Sequence, residues 1–175
     1  MNRKIISVYF GLITAIAIVT SIFFDAKISV VFICIGLLAL RYSIYKEKLG
    51  QELVIAFLMA LIITSYYVYI YSTSNIFIGR INIFPLLAWT AGLVILREIY
   101  EKMKSKHKYL FAVTLYWIVL FALEYIGYYI FEIRLDWNYN GLLGLGIIHG
   151  PNFMKFFYLF AGPIYLLLTD YLKVK

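Results

Sequence analysis

Residues 109–132 read YLFAVTLYWIVLFALEYIGYYIFE. Between Lys108 and the closing Glu132, only Glu124 is charged. An α-helix rises about 1.5 Å per residue, so roughly 20 apolar residues in a row cross the hydrocarbon core of a bilayer. Hydrocarbon offers no partner to a backbone amide, so a lone run of this kind is stable there only as a helix. Outward from it, five more apolar runs occupy 5–24, 28–45, 52–72, 76–98 and 153–172. The expected fold is all-α: one domain over 1–175, a polytopic bundle of six transmembrane helices.

Composition supports this. The 175 residues are 64% hydrophobic and 14% charged, where a soluble domain is about half apolar and about 25% charged. A small globule buries only part of its surface, so the apolar surplus must face lipid. The net charge of +7 does not point to nucleic acid, because the Lys and Arg residues fall in short clusters between apolar runs, where membrane topology selects them. Cys34 is the single cysteine and His107 and His149 are the two histidines. That excludes a disulfide framework and argues against a His/Cys metal cage. No cofactor is expected: the glycines at 141–146 lack the strand–turn–helix context of a nucleotide loop. No serine sits in a nucleophile elbow.

The first run follows Arg3 and Lys4, as a signal peptide would. It is too long for such a segment, and Phe23-Phe24-Asp25 is no small-residue cleavage site. Asp25-Ala26-Lys27 is a gap short enough to make the first two spans a tight hairpin. The third span ends in Tyr66, Tyr67, Tyr69 and Tyr71, an expected interfacial aromatic belt. Residues 72–75 read as a turn. Pro85 and Pro163 are expected to kink spans four and six near the membrane centre, and Gly162 to allow close packing. With the N-terminus in the cytoplasm, 12 of the 16 Lys and Arg residues lie inside; Lys27, Arg80, Arg134 and Lys155 lie outside. Positive charge in short loops collects on the cytoplasmic side. The expected location is therefore the cell membrane, multi-pass, with both termini cytoplasmic.

Polar residues of mixed type collect on the outer side. An ionised carboxylate at the bilayer centre costs about 2.5–3.5 kcal/mol even on lenient scales. Glu124 must therefore be protonated, paired or facing a wet cavity, and it is read as the only charge buried in the spans. Trp117, Glu124, Tyr128 and Glu132 follow at i, i+7, i+11 and i+15 and share one helix face. Lys155, Tyr158, Gly162, Tyr165 and Thr169 form a second stripe. The candidate acid–base residues are Glu124, His149, Asp136 and Glu132. The candidate substrate contacts are Arg80, Asn82, Tyr128, Arg134, Trp137, Asn152 and Lys155, with Arg80, Arg134 and Lys155 suited to an anionic head group. Each has a structural alternative. Glu124 could hydrogen-bond a tyrosine or a carbonyl freed by a kink. His149 could cap a loop, with Asn152 as N-cap of span six. Kinked helices could line a cavity or merely shape a packed bundle. The apolar segment 141–148 is too short to span; it could be a lid over a cavity or a spacer. The inner loops read as ordinary topology and solubility chemistry.

Trp137-Asn138-Tyr139-Asn140, the Gly-Leu stretch 141–146, Pro151 and Phe156-Phe157 resemble the lycopene cyclase domain of small carotenoid-pathway membrane proteins. In that family an acidic residue in a helix precedes Trp-x-Tyr/Phe-Asn, a Gly-Leu-rich stretch and a Pro-x-Glu-Glu leading into Phe-Phe. The resemblance covers about residues 124–157 and sets Glu124 in the place of the helical acid. It implies a membrane bundle acting on an isoprenoid. This chain departs after Pro151, where Asn152-Phe153-Met154-Lys155 carries no paired glutamates.

Three functional classes follow, and whether the chain is an enzyme is open among them. One is an enzyme or binder of a lipid or isoprenoid working from the outer side. The second is a non-catalytic subunit or assembly factor of a larger membrane complex. The third is a transporter or channel component. The expected partners are membrane lipids and other membrane subunits, not nucleic acid. A deep cavity lined by Glu124, Tyr128 and His149 would favour the first class. Glu124 packed against another helix would favour the second, and a continuous polar path across the bundle the third.

Overall fold

The structure is a computed structural model that describes residues 25–45, 49–72 and 75–172. The first expected span, 5–24, and its hairpin into the second lie outside the described residues. Among those residues five α-helices follow in order: α1 (Ala26–Tyr45), α2 (Leu49–Tyr66), α3 (Ile83–Lys102), α4 (Lys108–Tyr125) and α5 (Asn152–Tyr171). A π-helical turn, Ile126–Ile130, continues α4. A small hairpin precedes α3, with β1 (Phe77–Ile78) antiparallel to β2 (Ile81–Asn82) and Phe77 opposite Asn82. Among the described residues, three helices are long and apolar enough to cross a membrane: Ile83–Lys102, Lys108–Ile130 and Asn152–Tyr171.

Contacts between helix ends define two poles. At one, Lys27 at the start of α1 lies over the Tyr71 ring, and Asn82, which caps α3, donates to the Tyr69 carbonyl beyond the end of α2. At the other, Arg41 near the end of α1 pairs with Glu52 of α2, and Arg97 of α3 pairs with Asp170 of α5. Successive helices thus run in opposite directions. The core lies between α2, α3 and α5, where Ala56, Leu93, Val94, Tyr165 and Leu166 are buried together. Helix α4 buries only Ala112 and Val113, leaving Leu110, Phe111, Ile118 and Leu123 exposed. An apolar stripe of that extent is unstable against water and natural against lipid.

Several expectations are corrected. The third span does not continue as a helix to residue 72. Helix α2 ends at Tyr66, and 67–71 run extended. Asp136 donates its backbone N–H to the Ile70 carbonyl (2.8 Å) and Ser72 to that of Arg134 (3.0 Å). Tyrosine suits such a strand-like, half-covered backbone. Tyr69 and Tyr71 are buried, so they form a core layer and not an interfacial belt. The fourth span begins at Ile83 because the hairpin takes up the residues before it. Pro85 then falls in the first helical turn, where its missing N–H would have had no intrahelical partner, so no mid-helix kink is needed there.

Pro163 does sit inside α5. It removes the N–H that would reach the carbonyl of Leu159. The indole Nε1 of Trp117 donates to that carbonyl at 2.9 Å, and the Tyr116 hydroxyl donates to the carbonyl of Tyr158. The side chain that fills a proline-freed acceptor is thus Trp117, not Glu124.

Candidate functional site

The side chains of α3, the end of α4 and the start of α5 enclose a cleft of about 440 Å³. Its walls are apolar: Leu93 and Leu96 from α3, Leu120 and Leu123 from α4, and Tyr158 from α5. It opens sideways, since the lining residues Ile95, Val119, Leu123 and Phe131 are also exposed on the bundle surface. At its upper end lie Glu124, Tyr128 and His149. A second cavity, of about 380 Å³, adjoins it and is lined by Glu132, Arg134, Asp136, Trp137, Asn138 and Tyr139. Tyr128, Leu135 and His149 are common to both. An apolar slot and a polar vestibule therefore share one wall.

That wall is built locally. The π turn widens the end of α4 and brings Gly127 and Tyr128 to the cleft; such turns insert one residue into the helical repeat. The helix ends at Ile130, and after Glu132 (φ 51°) the chain pairs along 70–72. It returns through 141–148, where the Leu142 N–H donates to the Ile147 carbonyl at 2.7 Å. A Cβ on Gly141 would lie 2.9 Å from the backbone nitrogens of Gly146 and Ile147, so only glycine permits this closure. The segment is pinned by the Tyr129 hydroxyl to the Gly146 carbonyl (3.1 Å) and by Lys155 Nζ to the Gly141 carbonyl (3.3 Å).

The His149 backbone N–H donates to Glu124 Oε1 at 3.0 Å. Its ring stacks on Tyr128, centroids 3.6 Å apart and 14° from parallel. His149 Nδ1 lies 3.8 Å from the same carboxylate oxygen and has no hydrogen-bond partner among the described residues. Burial, then the positive charges of Lys155 and Arg134, hold the imidazole pKa below its usual value. Arg134 lies over the Tyr128 ring at 5.0 Å and donates from Nε to the Tyr128 carbonyl at 3.3 Å. Among the described residues no group of three His, Cys, Asp or Glu could hold a metal ion.

The structure brings together seven of the sequence candidates: Glu124, Tyr128, Glu132, Arg134, Asp136, Trp137 and His149. The other four lie elsewhere. Asn82 is the N-cap of α3; its side chain accepts from the Phe84 N–H and donates to the Tyr69 carbonyl and to Asn75. Arg80 is exposed in the hairpin turn and lines neither cavity. Asn152 does not cap α5. Pro151 holds that position, and Asn152, in the first turn, accepts from Lys155 Nζ at 3.4 Å. The ammonium of Lys155 is thus turned toward Gly141 and Asn152.

Sequence reasoning missed Tyr139, whose hydroxyl accepts from that of Tyr67 at 3.1 Å; the pairing of 67–72 with 133–136 brings them together. It also missed a second set of buried charges. Glu52 and Arg97 are 2% and 5% exposed at the opposite pole, so Glu124 is not the only buried charge. Arg41 pairs with Glu52 (3.0 Å) and with Glu98; Arg97 pairs with Glu52 (3.7 Å), Glu101 (3.2 Å) and Asp170. The signal was present as opposite charges at the ends of different apolar runs. Compared with protein-family models, curated proteins and solved structures, the chain shows no significant match.

Proposed function

We propose that this is a six-helix protein of the cell membrane, both termini cytoplasmic, that binds or acts on an amphiphilic lipid or isoprenoid from the outer side. The observation that carries the reading is the shared wall of Tyr128, Leu135 and His149 between an apolar cleft and a polar vestibule, with Glu124 at their junction. Sites for small molecules are concave, mostly apolar and supplied with a few oriented polar groups. Here the slot takes a hydrocarbon tail and the vestibule a head group. Arg41, Arg97, Lys102 and Lys108 gather at the pole away from the vestibule, which supports the cytoplasmic assignment of that pole.

The backbone N–H of His149 orients the Glu124 carboxyl, which would serve as a proton donor or acceptor to a group held at the head of the slot. The resemblance to the lycopene cyclase domain makes an isoprenoid a substrate to test, and the absence of the glutamate pair after Pro151 makes binding without cyclisation the expected result. A subunit role would be favoured by Glu124 packed against a helix, yet Glu124 lines the cleft. A transport role would need polar groups along the bundle; the cleft's far end is lined by Leu96 and Ile99.

The test is mass spectrometry of lipids retained by the purified chain. Glu124→Leu should lower the retained amount about tenfold, the equivalent of ~1.4 kcal/mol. Retention unchanged by this substitution would refute the site. In a deletion strain, an altered profile of extracted lipids or pigments is expected if the protein acts on its ligand. An unaltered profile would exclude the enzymatic form of the proposal.

A further inference from the structure

The apolar slot has the dimensions of one chain. Its α3 wall runs from Phe84 to Ile99, fifteen residues on, about 22 Å at the helical rise. A volume of about 440 Å³ spread over that length leaves a cross-section of about 20 Å². That is the section of a single extended hydrocarbon chain; two side by side would need twice as much. On α4 the wall from Leu115 up to Glu124 covers nine residues, about 14 Å. The hydrocarbon of one bilayer leaflet is about 15 Å deep. Gly92 stands midway along the α3 wall, and a Cβ there would meet nothing within 4 Å. Glycine is a poor helix former, so its place in mid-α3 keeps the slot open at a cost in helix stability. Glu124 closes the upper end. Its Oε1 accepts the His149 N–H at 3.0 Å, and its Oε2 accepts from no described residue. The side chain is 20% exposed and lines the slot, so the second oxygen is left for an occupant. Among the described residues no Lys or Arg pairs with this carboxyl. The fixed charges nearby nearly cancel: Lys155 and Arg134 act on His149, while Glu132 and Asp136 line the adjoining vestibule.

We propose that the occupant is a single-chain lipid alcohol, its hydrocarbon chain lying along α3 and α4 past Gly92 and its hydroxyl donating to Glu124 Oε2. This rests on the reading of the cleft as a lipid site and adds the number of chains and the chemistry of the head. A hydroxyl both donates and accepts, so it satisfies the carboxyl in either protonation state. A carboxylate head would stand against the Glu124 carboxyl. An ammonium head would stand in the field of Lys155 and Arg134. Taking a charged head out of water is costly, and only close pairing with further hydrogen bonds offsets it. A neutral hydroxyl costs far less and needs one partner.

The experiment offers the full chain in nanodiscs equal amounts of hexadecanol, decanol, geranylgeraniol, hexadecanoic acid, hexadecylamine and dipalmitoylglycerol. Retained ligand is read by mass spectrometry. Hexadecanol or geranylgeraniol should be enriched about tenfold over the acid, the amine and the two-chain glyceride; which of the two leads tells a straight chain from a prenyl chain. Glu124→Leu should erase that preference. Gly92→Leu, whose Cβ meets open space and whose side chain favours the helix, should block the slot midway and shift retention from hexadecanol to decanol. The acid or the amine retained equally or better would overturn the head-group assignment. Dipalmitoylglycerol retained equally would overturn the single chain, since its head is also a hydroxyl. Both results leave the lipid site standing. An unchanged chain-length preference in Gly92→Leu would overturn the path along α3. Retention of no lipid would refute the lipid site itself.

Discussion

The imidazole of His149 lies flat on Tyr128 while its backbone N–H holds Glu124. This one residue therefore couples the loop to the helix acid. Its pKa is lowered in the folded protein, first by burial and then by Lys155 and Arg134. Between the folded value and the unfolded value of about 6.5, the unfolded chain binds more protons, so stability rises with pH across that window. Acidification from pH 7.5 to below 6 should lower the Tm of the detergent-solubilised chain, and His149→Gln should remove that part of the dependence. Equal pH slopes for the two proteins would show that His149 does not titrate in this setting. The role of His149 was legible only as a choice between acid–base group and loop cap. The sequence sets Glu124 and His149 25 positions apart, and no local rule joins them.

At the scale of elements, the contact of α4 with α5 depends on two substitutions of ordinary helix structure. Pro163 frees a carbonyl that Trp117 fills. Gly162 lets the Tyr116 ring approach: a Cβ there would lie 2.7 Å from Tyr116 Cδ2. Gly162→Ala should push the helices apart and break the hydrogen bond from Tyr116 to the Tyr158 carbonyl. A loss of about 1–3 kcal/mol is expected, as for overpacking generally, read as a lower Tm and increased accessibility of the cleft. An unchanged Tm would mean that Tyr116 repacks freely. The close-packing role of Gly162 was readable from small-residue logic. The trade between Pro163 and Trp117 was not, because no local rule joins the indole of one apolar run to a carbonyl freed in another, 42 positions on. The same limit applies to 67–72. Residues 67–71, YVYIY, carry no charge and no breaker that would end the preceding helix, and only the cross-strand partners at 133–136 make the extended form the stable one.

Across the whole molecule, the charges divide between two poles. At the pole of Arg97 they neutralise one another in buried pairs that join α1, α2, α3 and α5. Removing one partner of a buried pair strands the other and costs about 3–5 kcal/mol. Arg97→Met should therefore lower the Tm, since Glu52 stays buried with Arg41 as its one remaining cation and Asp170 loses its partner. Adding Glu52→Gln should recover a large part of the loss. Failure of the second substitution to restore stability would mean that Asp170 and Glu101, not Glu52, carry the interaction. At the pole of Glu124 the charged groups line cavities instead. The same residue types thus staple helices at one pole and present open groups at the other.

Helices long and apolar enough to cross a membrane, and the polar residues at 132–140, follow from composition and run length alone, because transfer of apolar side chains out of water depends on local content and hardly on neighbours distant in sequence. The cleft, the vestibule and the identity of their shared wall were decided only by tertiary structure. Each depends on where a helix stops and which distant backbone then pairs with the extended chain beyond it. The ends at Tyr66 and Ile130 are set by pairing across some 60 residues, and no local pattern encodes that.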